Sequence, residues 1–272
     1  MATLTDIKAV ASAGIVVSLP HAAGMQSSLP ILQKNYKFSK VFYWGKMMGM
    51  KGDYLIAKGI EESSSTMKFF YCTDGVSWAE LPLVTPEMQE ACFKVATYGL
   101  LLSGDISAQL QIPVPPLPEG AEPPAEEVPP QFVTELQRLA VMVMAIEMEC
   151  ALCPAGALMK KVDHTIVPSP TYVGASFDAA CAIKSYVYMN KPKPVDVNAS
   201  ATKAAADFLT PASDCVPAGS LTTSFDAANN VVTVRSLLYP GFITYNFVGM
   251  PIWGNCYSGN GLKNVDIAFM LP

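Results

Sequence analysis

Cys150-Ala151-Leu152-Cys153 sets two thiols at the spacing of a dithiol redox centre or of half a zinc site. A redox pair wants its first thiol at a helix N-terminus, where the dipole stabilises the thiolate. Here the pair closes a long stretch of helical periodicity, which is the opposite end. A zinc site needs a second pair, and Cys72, Cys92, Cys181, Cys215 and Cys256 are scattered singly. Buried thiols are the better reading. A Ser-His-Asp or Cys-His mechanism would have to use His21 or His164. No G-x-S-x-G is present, and His164 follows Asp163 in a stretch that reads as a solvated loop. A small cytosolic enzyme working through Cys153 or His164 stands as the rival function. Gly254–Gly261 (GNCYSGNG) forms a loop-like run but lacks the Gly-Lys-Ser/Thr of a phosphate-binding loop. Glu119, Glu122, Glu126 and Glu127 lie among prolines, where nothing would desolvate a carboxyl or tune its acidity.

The bulk numbers agree with a chain that does little chemistry. Charged residues make up 15% of 272, well under the roughly 25% usual for soluble domains. Such a chain either has a large core or leaves apolar surface for partners. A net charge of −5, with basic residues clustered only loosely at Lys34–Lys40 and Lys191–Lys193, argues against nucleic acid. The aromatics are not interleaved with basic residues as an RNA-binding sheet requires. Ala9–Leu19 is apolar enough to imitate a signal core, but Asp6 precedes it and only Lys8 is basic. No run reaches the length of a membrane span. Scattered thiols and the absence of a span predict a soluble intracellular protein with no membrane partner.

The opening architecture is Val41–Gly59. Two apolar-aromatic runs, Val41–Met50 and Tyr54–Ile60, flank Lys51-Gly52-Asp53, which predicts a hairpin. Before it, Thr3–Val17 reads as a helix ended by Pro20, and Ser28–Asn35 as a second with Pro30 in its first turn. After it, Met67–Cys72 and Val76–Leu81 read as strands around Asp74-Gly75, and Pro86–Val95 as a helix capped by Thr85. Pro113–Pro130 (PVPPLPEGAEPPAEEVPP) can join neither ladder nor helix and reads as a solvated insertion at about 113–130. Gln131–Cys150 is a helix apolar nearly all round, stopped by Pro154. Helices are predicted over Ser176–Met189 and Ala199–Leu209. Leu221–Asp226 and Val231–Leu238 form a second hairpin, Phe242–Val248 a strand, Tyr257–Gly261 a loop and Val265–Leu271 a last strand. Strands, then helices, then strands predict an α+β fold. Its mainly antiparallel sheet is built from N- and C-terminal strands, with helices in the middle and at the N-terminus.

Tyr43, Trp44, Tyr54, Trp78, Tyr239, Tyr245, Trp253 and Tyr257 fall in or beside strands, as core or as interface anchors. Four blocks then carry a resemblance. They are Phe42–Gly59 (FYWGKMMGMKGDYLIAKG), Glu135–Leu158 with Arg138-Leu139 and a Pro154-Ala155-Gly156-Ala157-Leu158 tail, Val231–Gly241 (VVTVRSLLYPG), and Gly261–Leu271 (GLKNVDIAFML). In this order they are similar to the radial spoke head protein 9 family of motile cilia and flagella. The blocks bring Arg235 and Phe269 onto the list of candidate core or interface residues.

The resemblance implies a structural subunit of the axonemal spoke head, one domain over 1–272, without catalysis or cofactor. The expected partners are other spoke head and stalk subunits and, by transient contact, central pair projections, with two copies per head allowed. The implied role is to pass mechanical signals between the central pair and the dynein arms. The acidic insertion would face the central apparatus. The hairpin and Val231–Gly241 should share one sheet.

Overall fold

Tyr54-Leu55-Ile56-Ala57-Lys58-Gly59-Ile60 has no polar alternation, as a strand covered on both faces requires. The computed structural model, which describes residues 4–96, 101–112, 132–194 and 200–270, buries all seven. The proline-rich insertion lies outside the described residues.

The chain begins with α1 (Leu4–Ala9) and a 3-10 turn, Ala11–Ala13, which Gly14 closes at φ +96°. The helix expected to reach Val17 therefore stops early. Pro20 does not end it but sits in the first turn of α2 (Leu19–Tyr36), capped by Ser18. There a missing N–H costs nothing. This second helix starts well before Ser28 and carries Pro30 in its interior.

The hairpin follows as β1 (Lys40–Met47) and β2 (Tyr54–Ile60). The first strand ends short of Met50 because Met50 N–H donates to Leu102 O at 2.9 Å. β3 (Met67–Cys72) matches its expected span, whereas β4 is only Ala79–Glu80. The Asp74 carboxylate takes the N–H groups of Val76 and Ser77, each at 2.9 Å, and curls the residues expected to extend. Next come α3 (Pro86–Ala96), with Met88 N–H donating to Thr85 Oγ1 at 3.3 Å, and the pair β5 (Gln109–Gln111) and β6 (Phe132–Thr134).

The long helix α4 (Glu135–Cys150) starts at a capping box between Thr134 and Gln137. It ends before Pro154, which lies in β7 (Leu152–Pro154). A small hairpin, β8 (Leu158–Lys160) with β9 (Ile166–Pro168), follows. The helix expected over Ser176–Met189 is instead α5 (Phe177–Cys181), a 3-10 turn at Ile183–Ser185, and β10 (Tyr186–Pro192). Tyr186-Val187-Tyr188 carries strand-favouring aromatic and β-branched residues, and Tyr186 and Tyr188 are both buried. The next expected helix shortens to α6 (Ala201–Ala206), and β11 (Leu209–Pro211) pairs with β10.

The C-terminal meander is β12 (Leu221–Asp226), β13 (Val231–Ser236), β14 (Phe242–Phe247) and β15 (Trp253–Gly259). The last of these replaces the expected loop at Tyr257–Gly261. Its glycines and asparagine suggested a turn, but Trp253, Cys256 and Tyr257 are buried strand residues. The described part of the expected last strand, 265–270, forms no strand; the described end of the chain is α7 (Ile267–Met270).

Eight strands form one sheet in the order β12-β13-β14-β15-β1-β2-β3-β4. Every neighbouring pair is antiparallel except β1 with β15. That one parallel junction joins the N-terminal and C-terminal meanders, so the α+β reading holds and both family blocks share the sheet. Side chains alternate between two cores. Trp44, Tyr54, Ile56, Phe69, Phe242, Trp253 and Tyr257 meet α4 through Leu139, Val143 and Ile146. Tyr43, Leu55, Ala57, Phe70, Ile243, Tyr245 and Cys256 meet α1 and α2 through Ile7, Met25 and Leu29, with Val10 from the link after α1. A bulge between Tyr43 and Gly45 resets the alternation, so Trp44 and Met47 both join the α4 side.

Candidate functional site

Val141-Met142-Val143-Met144-Ala145-Ile146 leads into Glu147 on a helix whose inner face is dry, and Lys58 sits in a strand with no other charge. Neither would be stable alone in such surroundings. The fold places them in contact: Lys58 Nζ pairs with Glu147 Oε1, and both side chains are nearly inaccessible. Glu147 Oε2 also accepts the Trp44 Nε1 hydrogen at 2.8 Å. The Glu147 backbone carbonyl accepts from Asn190 Nδ2 at 3.0 Å, which ties β10 to the same turn of helix. A cavity of about 30 Å³ beside the cluster is room for about one water, not for a small-molecule ligand.

The next residues of α4 collect the remaining family blocks. Glu149 Oε2 pairs with Lys263 Nζ at 2.6 Å, and Tyr239 Oη donates to Glu149 Oε1 at 3.4 Å. Cys150 Sγ lies 3.4 Å from Ser236 Oγ. Asn264 N–H donates to Leu238 O at 2.8 Å, and Gly261 N–H to Tyr257 Oη at 2.7 Å. The C-terminal turn of one helix thus holds residues from all four blocks that are far apart in sequence. At its other end, Glu135 Oε1 accepts Gly104 N–H at 3.2 Å, and Oε2 pairs with Arg138 at 3.3 Å. That carboxylate fixes the loop against which the Lys51-Gly52-Asp53 turn rests.

The candidate residues divide. Tyr43, Trp44, Tyr54, Tyr239 and Trp253 are buried within this chain. Tyr43 belongs to the α1/α2 core, and the other four to the α4 core. Burial first, then the nearby Glu149 charge, hold the Tyr239 hydroxyl protonated far above its ordinary range. Trp78 is half-buried away from α4; its Nε1 donates to Ser28 Oγ at 2.8 Å, and Ser28 donates to Gly75 O, pinning the β3–β4 turn to α2. Arg235 is exposed on β13, and Phe269 is 90% exposed on α7. The structure does not bring these last three to the α4 cluster. Sequence reasoning missed Lys58 and Glu147. The available signal was a lone charge in the otherwise apolar β2, and the first charge after the apolar run Leu139–Ile146 in α4.

The chemistry of the rival reading finds little footing. Cys150 and Cys153 are buried, at the end of α4 and in β7. Burial raises the Cys150 thiol to about 12, partly opposed by Ser236, and pushes Cys153 up as well. A nucleophile must be a thiolate, and these hold their protons. Cys153 backs a cleft of about 260 Å³ whose other lining is mostly apolar, with Asp207 at its edge. His164 is exposed in a loop at φ +66°. Among the described residues no group of His, Cys, Asp and Glu could hold a metal. Nor is any described helix long and apolar enough to cross a membrane.

The raised thiols make a pH prediction. Cys72, Cys150 and Cys256 each rise from 9.0 to about 12 on burial. Between these values the unfolded chain has released protons that the folded chain keeps, so stability falls as pH rises. The contribution is complete below about 9 and lost by about 12. The urea midpoint should therefore drop between pH 8 and pH 10 (about neutral and alkaline to the thiol range). Replacing the three cysteines by alanine should reduce that drop, with Cys153 and the buried tyrosines Tyr186, Tyr188 and Tyr257 carrying the rest.

No protein-family model matches the sequence. Among curated proteins, the chain is similar to several named radial spoke head protein 9 homolog. The Danio rerio relative is 33% identical over 267 residues, 96% of this chain and 95% of its own length. The Bos taurus relative is 30% identical over 274 residues, 98% of each chain. The Homo sapiens relative is 28% identical over 274 residues, again 98% of each.

Proposed function

Because the chain belongs to the radial spoke head protein 9 family, we propose that it is a structural subunit of the radial spoke head in the axoneme of a cilium or flagellum. The observation that carries this reading is similarity over nearly the whole length of chain and relatives. Its role is mechanical. One body spanning 1–272 docks on other spoke head and stalk subunits and helps assemble the head. From there it passes force between central pair projections and the dynein arms, and normal beating depends on it.

Two features of the fold favour a load-bearing part. The eight-stranded sheet, with helices on both faces, resists bending, because either face must break packing to deform. The Lys58–Glu147–Trp44 cluster ties β1 and β2 to α4 with directional bonds in a dry interior. Such bonds keep one arrangement where apolar packing alone would tolerate sliding. The acidic insertion near 113–130 is suited to transient contact with the central apparatus, since like charge suppresses sticking to wrong partners. The reading assigns no catalytic step to the chain.

The test is salt extraction of isolated axonemes followed by velocity sedimentation. The chain should leave the axoneme with the spoke proteins and sediment with them.

A further inference from the structure

The two edges of the main sheet are treated differently by the sequence. β4 is two residues long, carries Glu80 and runs into Leu81-Pro82, so it offers little to another strand. β12 is six residues long, and Leu221-Thr222-Thr223-Ser224-Phe225 has no charge and no proline. Its one charge is the terminal Asp226, it has no bulge against β13, and the turn Ile183–Ser185 and α5 pack beside it without bonding to its outward backbone groups. Leu237 N–H donates to Ser220 O at 2.8 Å, which sets the register of hydrogen-bonded pairs with β13. Alternation then turns the N–H and C=O groups of Leu221, Thr223 and Phe225 outward. Among the described residues nothing accepts or donates to them. Thr222, Thr223, Ser224 and Phe225 are all exposed. Phe225 meets Phe177 edge-on, 4.9 Å between ring centres, and both rings are about half open to solvent.

We propose that β12 is a strand-pairing edge whose occupant is the same strand of a second copy of this chain, antiparallel about a two-fold axis at Thr223. Only outward-facing residues can exchange hydrogen bonds across the axis. Thr223 then faces itself, and Leu221 faces Phe225 of the other copy. The charges around the edge fit this arrangement. Asp226 follows Phe225, and Asp178 follows Phe177, so that end is acidic. Arg235, opposite Thr222, and Lys184, on the turn packed against β12, lie toward the other end. Asp214 on the neighbouring turn Ala212–Asp214 offsets part of that positive charge. Antiparallel pairing sets the acidic end of each copy against the basic end of the other. The uncharged run on the axis brings no like charges together. A single strand edge is at the low end of interface size, under about 1,200 Å², so the association is weak and reversible.

Sedimentation velocity of the full chain, up to concentrations on the order of 100 μM, should show a monomer–dimer equilibrium in the micromolar range. Thr223→Pro removes one outward N–H and none of the bonds to β13, and should give a monomer. Thr223→Lys puts two ammonium groups on the axis and should do the same. Under mild oxidation Thr223→Cys should crosslink to itself, while Thr222→Cys, which meets Ser224, should not exceed the background of the native thiols. Circular dichroism of each variant separates loss of pairing from loss of fold. A wild-type chain that stays monomeric overturns the proposal. So does a dimer that survives both Thr223→Pro and Thr223→Lys while the Thr223→Cys chain fails to crosslink. This pairing does not depend on the spoke reading: a monomer that still sediments with spoke proteins overturns the pairing alone.

Discussion

Glu147→Ala is expected to lower the stability of the folded chain by about 3–5 kcal/mol, the usual result of removing one partner from a buried ion pair. The loss is large because of what remains. Lys58 keeps an ammonium group at a site with side-chain exposure of 9%, and the Trp44 indole N–H loses its acceptor. The cavity beside them has room for about one water, so neither group can be solvated further without opening the interface that β1 and β2 share with α4. The double change Lys58→Met with Glu147→Gln should recover most of the loss. It removes the orphaned charge and leaves a side-chain carbonyl for Trp44. Urea unfolding of the wild type, the single variant and the double variant checks this. A single variant within about 1 kcal/mol of wild type would show that the cluster holds nothing together. The double variant also separates rigidity from stability. If it is stable yet its axonemes beat abnormally, the directional bonds matter for force transmission beyond their free energy.

Gly45→Ala should be at least as damaging, through sterics. Gly45 has φ +153°, and a Cβ there would lie 2.2 Å from Tyr257 O and 2.8 Å from Tyr257 N. The atoms it meets are backbone and cannot swing aside. They belong to β15 at the start of its parallel pairing with β1, the junction that makes one sheet from two meanders. A cost of about 4 kcal/mol or more is expected, in the range reserved for changes that break a core element. Hydrogen exchange should show protection lost along β1 and β15 first, with the β13–β14 pairs following. Gly156→Ala is the control. Its φ is +79° and nothing lies within 4 Å of the added Cβ, so only backbone strain acts, about 1 kcal/mol. Equal effects at the two sites would mean that the close approach of β1 to β15 is not what Gly45 serves.

The sequence made local pairing visible and long-range pairing largely invisible. The β1–β2 and β12–β13 hairpins were legible because each has a turn signal between two runs of strand-forming residues. The class followed from the order of those runs. The parallel β1–β15 contact had no such signal, since its partners lie about two hundred residues apart. The errors have particular causes. Pro20 was read as a stop, although proline is equally at home in a first turn, and Ser18 before it was the cap that decided the matter. Gly254, Asn255 and Gly259 hid a strand because Asn255 accepts from Thr244 of the neighbouring strand and a Cβ on Gly259 would meet Pro240 O, neither of which turn propensity registers. Asp74 curled Val76 and Ser77 through its own carboxylate, which propensity does not register.

The α4 cluster was half legible. Trp44 and Tyr239 stood out as aromatics in or beside strands, and the four family blocks were all recognised. Their meeting at Glu147, Glu149 and Cys150 was not, because contact between distant segments has no periodicity. The aromatics marked as candidate anchors turned out largely to face inward. What the chain offers outward is instead the uncharged edge of β12 and scattered apolar residues such as Phe269.

The most direct measurement is the sedimentation of salt-extracted axonemal protein, followed with an antibody to this chain. The chain should appear in one fast peak together with the spoke proteins, and none of it should remain with the bare doublets after extraction. Recovery as a slow free species, or its absence from axonemes altogether, would contradict its place in the spoke head.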